Sequence, residues 1–85
     1  MKHVCSPDTD LDELIGREWL DEGTLAFHYG PIPRALMLNE ELVLENSTAL
    51  SATMLAKIRA VVRGLFIPET EEALHPGGGF SLVLR

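Results

Sequence analysis

The segment from residue 24 to residue 44 constrains the fold most, because its apolar residues come in unbroken runs. Ala35-Leu36-Met37-Leu38 and Leu42-Val43-Leu44 are separated only by the polar pair Asn39-Glu40, and neither run alternates with polar residues. If both runs are strands of one hairpin, both faces of that hairpin need apolar cover. A helix of a small domain covers one face, and a second copy of the chain is the simplest cover for the other. The sequence therefore predicts a homodimer.

Composition is typical of one folded domain spanning residues 1–85. Of the 85 residues, 46% are hydrophobic and 24% are charged. The one cysteine, Cys5, permits no internal disulfide, which favours a reducing compartment. Residues 1–8 lack the apolar core of a signal peptide, and no apolar run approaches the ~20 residues that span a bilayer. We therefore expect a cytoplasmic protein that does not enter a membrane.

The formal charge of −6 is unevenly distributed along the chain. Acidic residues dominate residues 1–45, whereas residues 46–67 contain Lys57, Arg59 and Arg63 and no acid. An acidic surface repels phosphate backbones, and three basic residues on one helix make a weak nucleic-acid footprint. We therefore expect no nucleic-acid partner. The acidity is compatible with a basic protein partner or with solubility alone.

Local signals predict two helices and four strands. The first helix begins at residue 6 or 9 and ends near residue 22, with acidic residues in its first turn where the helix dipole favours them. The second runs from residue 46 or 47 to residue 63 or 65. Strands are predicted at residues 24–29, 34–38, 41–45 and 80–85, with a proline-containing turn at residues 30–33. The predicted fold is α+β, with two helices on a curved antiparallel sheet of about four strands.

The second helix has two different sides. Its core side is an apolar stripe at helical spacing, formed by Leu50, Met54, Ile58, Val61 and Leu65. The opposite side is lined by small residues, namely Ala49, Ala52, Ala56 and Ala60. Alanine is the best helix former, which explains this side without a partner, although a smooth side is also suited to packing.

His28, Tyr29 and Arg34 are the best candidates for a small ligand-binding cluster. His28 and Tyr29 end a predicted strand, and Arg34 follows the proline turn, so the three are expected to lie near one cleft. No pair of carboxylates and no nucleophile with a positioned base emerges from the spacing. We therefore expect no catalytic residue, no metal site and no cofactor.

Four residues are candidates for contact with a protein partner. Met37 and Val43 lie on the doubly apolar predicted strands, and Arg59 and Arg63 are four residues apart on the second helix. The two arginines suit an acidic peptide or phosphate. They are equally suited to pairing with Glu69, Glu71 or Glu72 of the same chain, and we expect the internal pairing.

The string His75-Pro76-Gly77-Gly78 resembles the haem-ligating loop of cytochrome b5-like domains. That resemblance implies a haem iron with a second histidine downstream, but no histidine follows His75 in this chain. We therefore expect a glycine-rich turn before the last strand, with a positive φ at one of its glycines.

The predicted order of helix, three strands, helix and strand, over residues 11–85, is similar to the layout of class I type III secretion chaperones. That resemblance implies a dimeric chaperone for a secreted protein, although the carboxy-terminal helix of that family has no counterpart here. Together these features predict a small acidic homodimeric protein-binding module of the adaptor, chaperone or inhibitor type, without catalytic activity. The alternative is a small-molecule binding protein or small enzyme with a cleft near His28, Tyr29 and Arg34.

Overall fold

The computed structural model describes residues 1–85 and contains seven strands, three α-helices and one 3₁₀ turn. In chain order they are β1 Lys2–Val4, α1 Leu11–Ile15, β2 Gly16–Asp21, β3 Thr24–Tyr29, α2 Pro31–Leu38, β4 Glu41–Glu45, the 3₁₀ turn Ser47–Ala49, α3 Ala52–Val61, β5 Leu65–Ile67, β6 Glu72–Leu74 and β7 Ser81–Leu84. The predicted α+β class is confirmed. The predicted single antiparallel sheet is wrong, because the strands form three small sheets.

The central sheet is parallel and has the strand order β1-β4-β7. Parallel neighbours need crossover connections of a dozen or more residues, and residues 5–40 and 46–80 make the two crossovers. Leu42, Val43 and Leu44 of the middle strand β4 are all buried. Since successive side chains of a strand point to opposite faces, both faces of β4 are covered within one chain. The apolar run therefore needs no second copy for its cover, and the structure shows no dimer.

Residues 34–38 form the second half of helix α2, so the predicted strand and its hairpin with residues 41–45 are wrong. Gly30 precedes the helix, and prolines at positions 31 and 33 lie in the first turn, where a missing N–H costs no hydrogen bond. Ile32, Ala35 and Leu36 are buried, at the spacing of a helix face. The apolar run thus has helical period, whereas the strand at residues 41–45 is confirmed.

Helix α1 ends at Ile15 because Gly16 adopts a φ of +118° and ψ of 175°, a conformation essentially confined to glycine. A Cβ at Gly16 would lie 2.2 Å from the His28 carbonyl oxygen. The chain then continues as β2, so the predicted helix to residue 22 is wrong beyond residue 15. Strand β3 has the predicted bounds. Glu22 and Gly23 join the two strands with φ angles of 51° and 81°, as a two-residue type I′ turn requires.

The second predicted helix is confirmed as α3, in a shorter form. The Ser51 hydroxyl accepts a hydrogen bond from the Met54 N–H at 3.1 Å and caps the helix, so residues 47–49 form a separate 3₁₀ turn. Ile58 is fully buried in the core, as its stripe predicts. Leu65 lies beyond the helix, at the start of the β5–β6 hairpin.

The last predicted strand is confirmed as β7, but its partner β4 runs parallel to it. None of the glycines in residues 77–79 has a positive φ, so that expectation is wrong. Gly77 and Gly79 are needed for close approach to Asn39 instead. A Cβ at Gly77 would lie 2.5 Å from Asn39 Oδ1, and one at Gly79 would lie 2.5 Å from the Asn39 carbonyl oxygen.

The element order differs from the one on which the chaperone resemblance depends. A helix replaces the second of the three predicted strands, and the strands β1, β2, β5 and β6 have no counterpart in the prediction. No helix in the chain combines the length and apolarity needed to cross a membrane.

Candidate functional site

The β2–β3 hairpin presents two faces of different character. Its register places Arg17 opposite His28 and Leu20 opposite Leu25. Side chains of directly opposed residues share a face and alternate along each strand. One face, here called the cavity face, carries Arg17, Trp19, Ala26 and His28. The other, here called the apolar face, carries Glu18, Leu20, Leu25, Phe27 and Tyr29.

A cavity of about 240 Å³ lies between the cavity face, helix α1 and the start of helix α2. His28, Tyr29 and Arg34 all contribute to its wall, so the structure brings the three candidate ligand-binding residues to one cavity, but the Tyr29 side chain itself belongs to the apolar face. Gly16 and Gly30 form part of the wall, and the Gly30 N–H donates to the Ile15 carbonyl oxygen at 2.9 Å. The base of the hairpin is therefore fixed to the end of α1, and the wall of the cavity is backbone that cannot shift easily.

The charged groups on the cavity wall fall into paired and unpaired sets. Glu13 is paired, because its Oε2 lies 2.7 Å from His3 Nε2 and accepts from the Thr9 hydroxyl at 3.3 Å. Arg17 lies 3.9 Å from Asp10. Asp12 and Arg34 also line the cavity and take part in no ion pair. The Arg34 Nε–H donates to the Gly30 carbonyl oxygen at 3.2 Å, which orients the guanidinium.

His28 is held by an aromatic neighbour and not by a hydrogen bond. Its ring stacks on Trp19 with 3.5 Å between centroids and 5° between planes. Its Nε2 is buried and has no hydrogen-bond partner in the protein. A buried polar atom without a partner costs about 1–3 kcal/mol, so this nitrogen is an unsatisfied polar group in the wall of the cavity.

Tyr29 connects the hairpin to the β5–β6 hairpin. Its hydroxyl donates a hydrogen bond to the Glu72 carboxylate on β6. This hydrogen bond raises the pKa of Tyr29 above its ordinary value, and partial burial adds to the shift. The same bond, with help from the Thr70 hydroxyl, holds the pKa of Glu72 below its ordinary value. Both shifts favour the neutral phenol and the ionised carboxylate, the pair of states that makes the bond.

The apolar face is covered at its base and open at its tip. Phe27 contacts Tyr29 edge to face, with 5.2 Å between ring centroids, and packs against the core. Towards the turn, the opposed pair Leu20 and Leu25 remains 70% and 58% exposed. Trp19, on the other face, is 48% exposed. The outer half of the hairpin therefore holds three large apolar side chains in water.

The structure separates the four candidate partner-binding residues. Met37 is exposed on α2, whereas Val43 is 3% exposed in the central strand and belongs to the interior. Val43 is therefore not available to a partner. Arg59, on α3, and Arg63, in the turn that follows α3, are exposed and form no ion pair, so the expected internal pairing with residues 69, 71 and 72 is wrong.

The remaining nucleophilic and metal-binding side chains form no second site. Cys5 is buried, and burial raises the pKa of its thiol, with a smaller contribution from the Glu13 carboxylate. That shift disfavours the thiolate, which is the nucleophilic and metal-binding form. The structure brings together no group of three or more His, Cys, Asp or Glu side chains able to hold a metal ion.

Sequence reasoning missed Asp12, Arg17 and Trp19 as residues of the cavity. The available signal was the alternation of residues 16–21 followed by Glu22-Gly23, which marks a hairpin once Gly16 is read as the end of a helix. With that hairpin recognised, the register would have placed Arg17 and Trp19 beside His28.

Comparison with known proteins gives no family for this chain, because no protein-family model and no solved structure matches it.

Proposed function

We propose that this protein is a noncatalytic protein-binding module of the adaptor, chaperone or inhibitor type, and that it acts as a homodimer. The observation that carries the proposal is the exposed apolar outer half of the β2–β3 hairpin. Trp19, Leu20 and Leu25 lie close to the turn, on a two-stranded ribbon that no third strand extends. Two-stranded hairpins are marginally stable in water, and exposed apolar groups of this size mark interaction surfaces.

The charge distribution favours a second copy as the occupant of this surface. Beside the exposed leucines the hairpin carries Glu18, Asp21 and Glu22. Helix α3 presents the exposed basic residues Lys57 and Arg59, and Arg63 is exposed in the turn just after it; none of the three has a carboxylate partner. Hairpin and helix are thus complementary in charge, and such complementarity steers association and fixes register.

The surface of helix α3 also has a suitable shape. Ala52, Ala56 and Ala60 are exposed between the basic residues, so the helix offers a shallow apolar strip. In the proposed dimer each hairpin lies across helix α3 of the partner. Twofold symmetry makes this contact twice, which doubles the area that one hairpin buries.

The test is sedimentation equilibrium of the full chain at tens of micromolar. We expect the wild type to be dimeric and Leu25→Lys to be monomeric, because a lysine there places a cation against the basic helix. Thr48→Lys is the matched control, since Thr48 is exposed on the 3₁₀ turn and away from the hairpin. A wild type that stays monomeric, or a Thr48→Lys variant that dissociates equally, would contradict the proposal.

A charge exchange tests the pairing of hairpin with helix. Arg59→Glu should weaken the dimer, and Glu18→Arg in the same chain should restore it at about 0.15 M salt, where exposed charges within ~8 Å still interact. Failure of the second substitution to restore association would place the contact elsewhere.

The absence of catalysis is part of the proposal and is supported by the state of Cys5. This thiol is buried and its pKa is raised, so it is a poor nucleophile.

Small-molecule binding is a second candidate function, favoured by one observation. The cavity of about 240 Å³ is lined by His28, Tyr29 and Arg34, and also by Asp12, which like Arg34 forms no ion pair in the protein. Concave sites with a few convergent polar groups are the usual ligand sites of proteins.

A further inference from the structure

We propose that the cavity between the β2–β3 hairpin, α1 and α2 binds a small zwitterion of amino-acid size, with its carboxylate on Arg34 and its ammonium group on Asp12. This inference rests on small-molecule binding, the second candidate function, and is independent of the homodimer.

The cationic side of the site is the Arg34 guanidinium. Its Nε–H is already used by the Gly30 carbonyl oxygen at 3.2 Å, which leaves the N–H groups of both Nη atoms. No carboxylate of the chain lies within 4.0 Å of it in an ion pair. An oriented guanidinium with free N–H groups matches the planar geometry of a carboxylate.

The anionic side of the site is the Asp12 carboxylate. It lines the same cavity and has no ion pair, whereas its neighbour Glu13 is occupied by His3 and Thr9. A carboxylate accepts hydrogen bonds only, so the complementary ligand group is a donor, and an ammonium group also neutralises the charge.

The coexistence of these charges selects a zwitterion over a simple ion. A simple anion bound to Arg34 would share the cavity with the carboxylates of Asp12 and Glu13. A simple cation on Asp12 would share it with Arg17 and Arg34. A ligand that carries both charges meets opposite charges at both ends, which adds attraction and removes the repulsion.

The volume of the cavity and its remaining polar group restrict the class of ligand further. The cavity of about 240 Å³ corresponds to roughly eight water molecules at ~30 Å³ each, which suits a molecule of about five to ten non-hydrogen atoms. The remaining polar group of the wall is His28, whose ring stacks on Trp19 and whose buried Nε2 has no hydrogen-bond partner, so a ligand bonds this nitrogen only if the ring moves.

The experiment is an amide NMR titration of the full chain with four probes at constant ionic strength: glycine, L-serine, acetate and methylammonium. Acetate carries only the carboxylate of a zwitterion, and methylammonium carries only its ammonium group. We expect glycine or L-serine to shift the amides of residues 12–17 and 28–34 and to bind at least about tenfold more tightly than acetate or methylammonium.

Variants assign the two ends of the ligand. Arg34→Gln and Asp12→Asn should each weaken zwitterion binding about tenfold or more, because each removes one charge-assisted contact. Arg63→Gln is the matched control, since it removes an exposed arginine that lies just after α3 and does not line the cavity, and it should leave binding unchanged. Dispersed amide spectra identify the variants that remain folded.

Two results would overturn the inference in different ways. If acetate binds as tightly as the amino acids, and Asp12→Asn has no effect, the site is an anion site and only the zwitterion is wrong. If no probe shifts the cavity amides, both the zwitterion and small-molecule binding in this cavity fail, and the homodimer proposal is unaffected.

Discussion

Strands β4 and β2 are similar in length but differ in how far the rest of the protein buries their side chains. Leu42, Val43 and Leu44 of β4 lie between two partner strands and are buried on both faces. In β2 every residue after Gly16 is exposed, including Trp19 and Leu20. Both strands carry large apolar side chains, so apolar content alone does not distinguish the interior of this protein from its surface.

The difference comes from what each strand is attached to. Strand β4 lies between two crossovers that pack helices and hairpins around it, and its side chains join the main core. The β2–β3 hairpin is attached at its base, through Gly16, Gly30 and the Tyr29–Glu72 hydrogen bond. The central sheet therefore accounts for the fold of the single chain, whereas the hairpin tip stays exposed and adds little to the core.

The largest expected effect contrasts Leu44→Ala with Leu25→Ala. Leu44 is 0% exposed, so its truncation leaves a cavity and should lower the free energy of unfolding by about 2–5 kcal/mol. Leu25→Ala should change it by less than about 0.5 kcal/mol, since Leu25 is a surface residue of the monomer.

Urea denaturation at a protein concentration below the dimer range measures both values. Equal losses for the two variants would mean that the hairpin tip is covered within one chain, and the contrast between the two strands would fail.

The second expected effect is that of Gly16→Ala at the base of the hairpin. Alanine at a φ of +118° is strained, and its Cβ would meet the His28 carbonyl oxygen at 2.2 Å, so a loss of at least about 3 kcal/mol is expected. Amide exchange should accelerate in β2 and β3 more than in β4. Uniform acceleration in all strands would show that hairpin and central sheet open as one unit.

The third effect concerns Asn39, which joins the end of α2 to the loop before β7. Asn39 ends the helix at a φ of 54°, and its Oδ1 accepts from the Gly79 N–H at 3.0 Å. Asn39→Gly keeps the backbone conformation and should cost about 1 kcal/mol for the lost hydrogen bond. Asn39→Ala should cost about 2 kcal/mol, because alanine also disfavours the left-handed conformation. Equal costs, read from thermal unfolding, would show that the backbone conformation contributes nothing.

The sequence predicted the elements whose signals are local. Strands β3 and β4 have the expected bounds, α3 has the expected core residue Ile58, and the last strand is present. The predicted secondary structure was wrong where an apolar run was compatible with both a helix and a buried strand. At residues 31–38 the Gly-Pro start and the Asn39 end indicate a helix, but the unbroken run of residues 35–38 favoured a buried strand. Because that segment is a helix, the strand at residues 41–45 pairs instead with β1 and β7, which are far away along the chain.

The candidate site was predictable in part. His28, Tyr29 and Arg34 line one cavity, yet Asp12 and Arg17 reach it only because Gly16 turns the chain from a helix into a strand. A glycine in an otherwise helical pattern costs about 1 kcal/mol, and that cost does not reveal whether the helix ends there. The Tyr29–Glu72 pair, 43 residues apart, depends on long-range packing that no local pattern indicates.

The smallest effect expected is that of Tyr29→Phe, which removes the hydrogen bond between the two hairpins. The pKa of Glu72 is lowered from 4.5 by the Tyr29 hydroxyl and then by Thr70, so its contribution to stability is present above pH 4.5 and is lost as the pH falls through the lower, folded-state pKa. The pKa of Tyr29 is raised from 10.0 by the bond to Glu72 and then by burial, so its contribution is present below pH 10.0 and is lost as the pH rises through the higher pKa. Tyr29→Phe should therefore lower the Tm by the largest margin between about pH 4.5 and 10, and the two proteins should converge outside that window.

Glu72→Gln is the matched partner in a double-mutant cycle, which isolates the coupling of the two side chains. A Tyr29→Phe deficit that is constant from pH 3 to pH 11 would show that the phenol contributes through packing alone, and the hairpin would then be attached to the rest of the molecule by its glycine base and by the packing of Phe27 and Tyr29.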